Sequence, residues 1–166
     1  MPFTAGVDLG TTFTAAAVSR DGRVEMLRLG SSSFTVPSVL YFAEDGGMTT
    51  GDTARRRLTT EPDRVAHEFK RRMGDPAPLM IGGAPYAAHL LTGRLLDWVV
   101  DRIEEQEGSR PEMVTVTHPA NWGPFRRELM DQATKAAEVS QTVAKVLRSA
   151  TDEVISSHDS ERSFLK

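Results

Sequence analysis

The sequence predicts an α/β fold in which helices pack against a small mixed sheet. Three observations lead there. Residues 3–9, 12–18 and 23–29 read as short apolar strands divided by turn residues. Residues 87–107 then carry an apolar stripe at helical spacing. Met113-Val114-Thr115-Val116-Thr117 returns to a strand pattern, and 123–139 is helical again.

Taken in order, the second and third strands form a hairpin with Asp21-Gly22 at its tip. Val36-Pro37-Ser38-Val39-Leu40-Tyr41-Phe42 follows as a strand entered through proline. Gly51-Asp52 offers an N-cap for a helix over 53–58, and Pro62 opens a helix running to Met73, before Gly74. Residues 79–86 resemble a small hairpin around Gly82-Gly83. In the long helix Leu91, Leu95, Leu96, Trp98, Val99, Val100 and Ile103 form the core face, and Gly108 is its stop. Val143, Val146, Leu147, Ala150, Val154 and Ile155 keep helical spacing, so 140–166 is expected to be a helical tail with a frayed end.

Composition bounds the function. The 166 residues suit one medium domain or two small ones, with a core that needs no staples. A net charge of −3 argues against nucleic acid as a partner. The absence of cysteine excludes disulfides and thiolate metal sites and suits the cytoplasm. No signal-peptide pattern opens the chain, and no apolar run reaches the ~18 residues of a membrane span, so no membrane role is expected.

The chemistry concentrates in Gly6-Val7-Asp8-Leu9-Gly10-Thr11-Thr12-Phe13. Gly10 permits close approach of an anion to the backbone, and the threonines add two hydroxyls beside consecutive amides. Asp8, at the strand's end, is placed to attract the magnesium ion that accompanies nucleotide phosphates. A plain turn needs only an Asp-Gly or Asn-Gly pair, so the paired threonines favour a phosphate-binding hairpin. The histidines His67, His89, His118 and His158 show no metal spacing. Trp98 falls in the apolar stripe of its helix, and Trp122 suits a strand–helix junction better than a ligand contact.

Four segments, in order, resemble the N-terminal half of the ATPase domain of the seventy-kilodalton heat-shock chaperones (DnaK-type). They are Val7–Phe13, Val36–Phe42, Gly51-Asp52-Thr53-Ala54 through Phe69-Lys70-Arg71-Arg72-Met73-Gly74, and Val114-Thr115-Val116-Thr117-His118-Pro119-Ala120-Asn121-Trp122. The resemblance covers about residues 4–139. It implies an actin-like (ribonuclease H-like) ATPase lobe with a mixed sheet. The core would take 1–36 and 113–139, and an inserted α+β subdomain would take 37–112. It also implies that Gly10, Thr11, Thr12 and Phe13 contact the phosphates of ATP and that Asp8 holds Mg2+ through water. Lys70 would be the catalytic lysine at the γ-phosphate, and Pro119 a relay of nucleotide state.

The departures from the family shape the functional expectation. No Glu-Pro pair follows Val139, and the second lobe, with its phosphate loop and adenosine pocket, is not in this sequence. The expected function is an ATP-binding lobe of an ATP-dependent, stress-responsive folding chaperone, with weak affinity and negligible hydrolysis by this chain alone. Catalysis in the family uses groups from both walls of a closed cleft. The alternatives are a non-catalytic scaffold or binding protein and a truncated remnant, with a sugar-kinase-like lobe ranked lower. The expected partners are nucleotide, protein clients, a second lobe supplied in trans, or a second copy through self-association.

Overall fold

The computed structural model describes residues 1–137, together with the backbone of Val143–Arg148. A mixed sheet is the frame. β1 (Thr4–Leu9) lies at its centre, antiparallel to β2 (Phe13–Arg20) and parallel to β10 (Met113–His118). β3 (Arg23–Met26) extends it beyond β2, and β4 (Thr35–Pro37) pairs with the other end of β2. The Asp21-Gly22 tip has φ of 51° and 76°, the doubly left-handed turn that suits a two-residue hairpin.

One face of this sheet is the core. Ala5, Val7 and Leu9 of β1 and Val114 and Val116 of β10 alternate inward, while Gly6 and Asp8 face out. Against the inner face lies α2 (Ala88–Glu107), burying Leu91, Leu95, Leu96, Val99, Val100 and Ile103. Each buried aliphatic side chain of this stripe contributes roughly 1.5–3 kcal/mol. Trp98 is only partly buried at its rim. α3 (Pro124–Ala136) crosses α2 closely, since a Cβ on Gly93 would come within 2.8 Å of the Ala133 carbonyl. Gly108, at φ 76°, ends α2 as its sequence implies.

A small sheet is built of β5 (Val39–Phe42), β6 (Met48–Thr50) and β7 (Val65–His67), in the order β6-β5-β7. The short α1 (Asp52–Arg56) covers it, enclosing Val39, Tyr41, Ala54 and Val65. β8 (Leu79–Ile81) and β9 (Ala84–Tyr86) make the expected hairpin, with Phe42 stacked on Tyr86 at 5.0 Å.

Three local expectations are corrected. The strand expected over 36–42 breaks at Ser38, so that β4 and β5 serve different sheets. The helix expected from Pro62 to Met73 is instead a 3-10 turn at Pro62–Arg64, then β7, then a second 3-10 turn at Phe69–Arg72. Glu68, left-handed at φ 51°, separates the last two. Burial decides this: Val65 and Ala66 point into two different cores, as adjacent strand residues do and adjacent helical residues do not. The long helix shares one buried cluster with β1 and β10 and with Leu40, Ala66 and Phe69. Finally, Val143–Arg148 is not helical. It forms β11, parallel to β10 in the register Val114↔Ala144, where the unpaired edge of β10 offers its backbone groups to a segment with β-branched Val143 and Val146. The rest of the expected tail, including Ala150, Val154 and Ile155, lies outside the described residues.

Candidate functional site

The site forms where β1, β10 and the Phe69–Arg72 turn end together. β1 delivers Asp8 on its exposed face and Leu9 on its buried one. The chain then turns through Gly10-Thr11-Thr12 into β2. Gly10 is required here for space: a Cβ would sit 2.1 Å from the Phe13 carbonyl oxygen, well inside contact distance.

Ser38 holds this turn from behind. Its amide donates to the Thr12 carbonyl at 2.9 Å, and its hydroxyl donates to the Gly10 carbonyl at 2.7 Å. The buried Thr14 hydroxyl completes the chain, 2.9 Å from the Ser38 hydroxyl. The break between β4 and β5 thus places one serine to occupy two carbonyls of the loop. Among the described residues, the amides of Thr11 and Thr12 donate to no backbone carbonyl. A hollow of about 210 Å³ lies beside the loop, lined by Thr11, Thr12, Phe13, Ser38, Arg55 and Glu68 among others. Phe13 itself is half exposed.

Lys70 comes from the opposite side. The left-handed Glu68 turns the chain so that Phe69 and Lys70 both point inward, and Lys70 is 9% exposed. Its amine donates to the Leu9 carbonyl, 61 residues earlier. The same nitrogen lies 5.6 Å from the centre of the Trp122 ring, within cation–π range. Burial pushes the amine below the ordinary lysine value, and the nearby Asp8 carboxylate partly offsets that.

The end of β10 closes the third side. The Thr117 hydroxyl donates to Asp8 Oδ1 at 3.0 Å, orienting the carboxylate on the open face of the sheet. His118 is buried and donates through Nδ1 to the Pro119 carbonyl at 2.8 Å. Its ring lies 6.0 Å from that of Trp122, nearly parallel at 6°. The Trp122 amide also donates to the Pro119 carbonyl.

Asp8, Gly10, Thr11, Thr12 and Lys70 therefore converge, with Pro119 adjoining through Trp122 and His118. Ser38, Thr117 and Trp122 are contributors that sequence reasoning did not assign to the site. Thr117 carried a weak signal, because it shares a strand face with Thr115 beside β1. Among the described residues, no group of three His, Asp or Glu side chains could hold a metal ion by itself. No helix among them is long and apolar enough to cross a membrane.

The Hsp70 protein family model matches residues 4–79 of this chain. This range contains Asp8, the Gly10–Phe13 turn, Ser38 and Lys70. The chain carries an Hsp70-type segment. It is 30% identical over 138 residues to the chaperone protein DnaK of Thermotoga petrophila and, to the same extent, to that of Thermotoga maritima. That stretch is 82% of this chain and 22% of each relative, so the chain spans about a fifth of their length. Within the Hsp70-type segment both halves of the candidate site are present, the loop and the lysine. The Thr117–Trp122 side lies outside the 4–79 match and reaches the loop through the parallel pairing of β10 with β1.

Proposed function

We propose that this chain is an ATP-binding lobe of actin-like type in an Hsp70-type chaperone, gripping the triphosphate end of the nucleotide with its Gly10–Phe13 hairpin. The reading rests on one observation above all. Ser38 occupies the loop's carbonyls from behind, while the Thr11 and Thr12 amides have no carbonyl of their own among the described residues. Consecutive amides left free in this way offer donors to an anion.

The residues present fit a magnesium nucleotide. The turn at Gly10 admits no side chain that would crowd a phosphate. The donors are two amides, two hydroxyls and one amine, a set suited to phosphate oxygens. Asp8 is a single exposed carboxylate held by Thr117, which matches a magnesium ion that takes most of its ligands from phosphate and water. Magnesium, when bound, neutralises charge on the phosphates and draws electron density from the one transferred. The Lys70 amine contributes positive charge at the same end and is fixed in direction by Leu9 and Trp122.

Hydrolysis by this chain alone is predicted to be negligible. The site residues line one wall, and Asp8 stands on an exposed face of the sheet, so water competes for every donor. Turnover, clients and cytoplasmic residence belong to this proposal by family resemblance, with the opposite wall supplied by another polypeptide segment.

Magnesium ATP is expected to raise the melting temperature of the wild-type chain by a small, saturable amount. Asp8→Ala and Lys70→Ala should each abolish the rise, with circular dichroism unchanged. An undiminished shift in both variants would overturn the assignment.

A further inference from the structure

We infer that the outer edge of β3 is a self-pairing surface, on which a second copy of this chain adds its own β3 in antiparallel register to make one continuous sheet. Among the described residues β3 is the terminal strand of the large sheet, and all four of its residues are exposed. Its inner edge is committed to β2, with Arg20 opposite Arg23 and Val18 opposite Glu25. In a hairpin closed by two residues, the flanking pair exchanges both hydrogen bonds and bonded pairs then alternate. The Leu27 amide, donating to the Ala16 carbonyl at 2.9 Å, keeps that alternation. Arg23 and Glu25 thus spend their backbone groups inward, while Val24 and Met26 present theirs outward.

The side chains make this edge complementary to its own reverse. With a two-fold axis at Val24, Arg23 of each copy faces Glu25 of the other. Neither residue has an ion-pair partner among the described residues. Both border a hollow of about 460 Å³ beside the hairpin, shared with Val18, Arg20 and Asp21. Val24 is 70% exposed and Met26 51%, so pairing also covers apolar surface. Edges are commonly guarded by charge. One basic and one acidic residue two positions apart guard against a foreign strand, but not against the same strand reversed.

The edge is held in place before any partner arrives. Arg20 at the end of β2 pairs with Glu107 of α2, and Gln106 Nε2 donates to the carbonyl of Arg28, two residues past β3, at 3.0 Å, so the chain on either side of β3 is tied to the long helix. Little conformational freedom is then lost on pairing. Four residues cover far less than the ~1,200 Å² of a stable complex, so the dimer is weak and depends on concentration.

The chain has no cysteine, so Val24→Cys is a single reporter. Facing Cα atoms of a bonded antiparallel pair lie about 5.5 Å apart, within disulfide reach. Under mild oxidation, Val24→Cys is expected to form a disulfide dimer much faster than Met80→Cys, a control that is 59% exposed on another hairpin. Adding Arg23→Glu to the reporter should lower the dimerisation constant by roughly fivefold or more, and Arg23→Glu with Glu25→Arg should restore it. Sedimentation of the cysteine-free chain should show the same order. Equal rates for the two cysteine reporters, an unaffected Arg23→Glu variant, a failed restoration, or a wild-type monomer at every concentration would each overturn the inference. None of these readouts involves nucleotide, so they stand apart from the fate of the hairpin assignment.

Discussion

The Ser38 hydroxyl donates to the Gly10 carbonyl at 2.7 Å, tying the start of the small sheet to the turn that ends β1. Ser38 is 2% exposed and sits where β4 gives way to β5. One residue therefore fixes both the handover between sheets and the orientation of the Gly10–Thr12 turn. Ser38→Ala removes a buried donor from Gly10 and a partner from Thr14. The expected cost is about 1–3 kcal/mol in urea unfolding, with the fold retained and the nucleotide-induced thermal shift reduced. An unchanged unfolding midpoint would show that the tie contributes nothing.

Gly10→Ala is predicted to be worse than its size suggests. The new methyl group meets a backbone oxygen at 2.1 Å, which no rotamer change relieves. A cost of roughly 1–3 kcal/mol is expected together with loss of nucleotide binding. Gly22→Ala is the informative comparison. It meets nothing within 4 Å but stands at φ 76°, so it should strain its turn and leave binding intact. Calorimetric melting and nucleotide titration of both variants provide the check.

The pH dependence of stability follows from Lys70. Its folded-state pKa lies below the ordinary 10.5, through burial first, with Asp8 acting in opposition. Between those two values the unfolded chain binds the additional proton, so stability rises with pH across the window, and the penalty is full only below it. Tyr41 runs the other way. Its phenol is held above 10.0, chiefly by the hydrogen bond to Glu61, and stability is lost as pH climbs past 10.0. The Lys70 effect is therefore read below about pH 10, as a rise in melting temperature that Lys70→Met lacks. Parallel profiles for the two proteins would contradict it. Nucleotide affinity should fall over the same interval as the amine loses its charge.

Trp122 is predicted to matter for both packing and the lysine. It is 8% exposed, stacks on His118 and lies under the Lys70 amine. Trp122→Ala should cost about 3–5 kcal/mol in denaturant unfolding. Trp122→Phe keeps an aromatic face and should recover most of the nucleotide-induced thermal shift, whereas Trp122→Leu should not. Equal shifts in the Phe and Leu variants would mean that the ring's charge distribution plays no part.

The large sheet was legible because its pattern is local. Alternation in β1, β2 and β10 and the stripe of α2 each announce one buried face. Gly10 was legible too, through its place between an apolar strand and paired threonines. The misread segment is instructive: Val65, Phe69 and Met73 recur every fourth residue, which is the spacing of a helix. All three are buried, yet Val65 serves the small core, Phe69 and Met73 serve the large one, and the left-handed Glu68 breaks the backbone between them. Periodicity registers burial but not which core receives it. Ser38 was hidden for a related reason, since a polar residue inside an apolar run looks like part of one strand. Lys70 stood out only through resemblance, because its partner, the Leu9 carbonyl, is a backbone group 61 residues away and leaves no mark in composition. β11 lacked a local signal as well. Its segment has helical spacing, and its pairing depends on the edge that β10 presents.

The central claim is that the amides of the N-terminal turn grip the end of a triphosphate. Amide chemical shifts in a titration with magnesium ATP report on this most directly. The prediction is a saturable shift at Thr11 and Thr12 that Lys70→Ala weakens and that the edge residues Val24 and Met26 do not share. Thr11 and Thr12 resonances that stay fixed to saturating nucleotide would contradict the account.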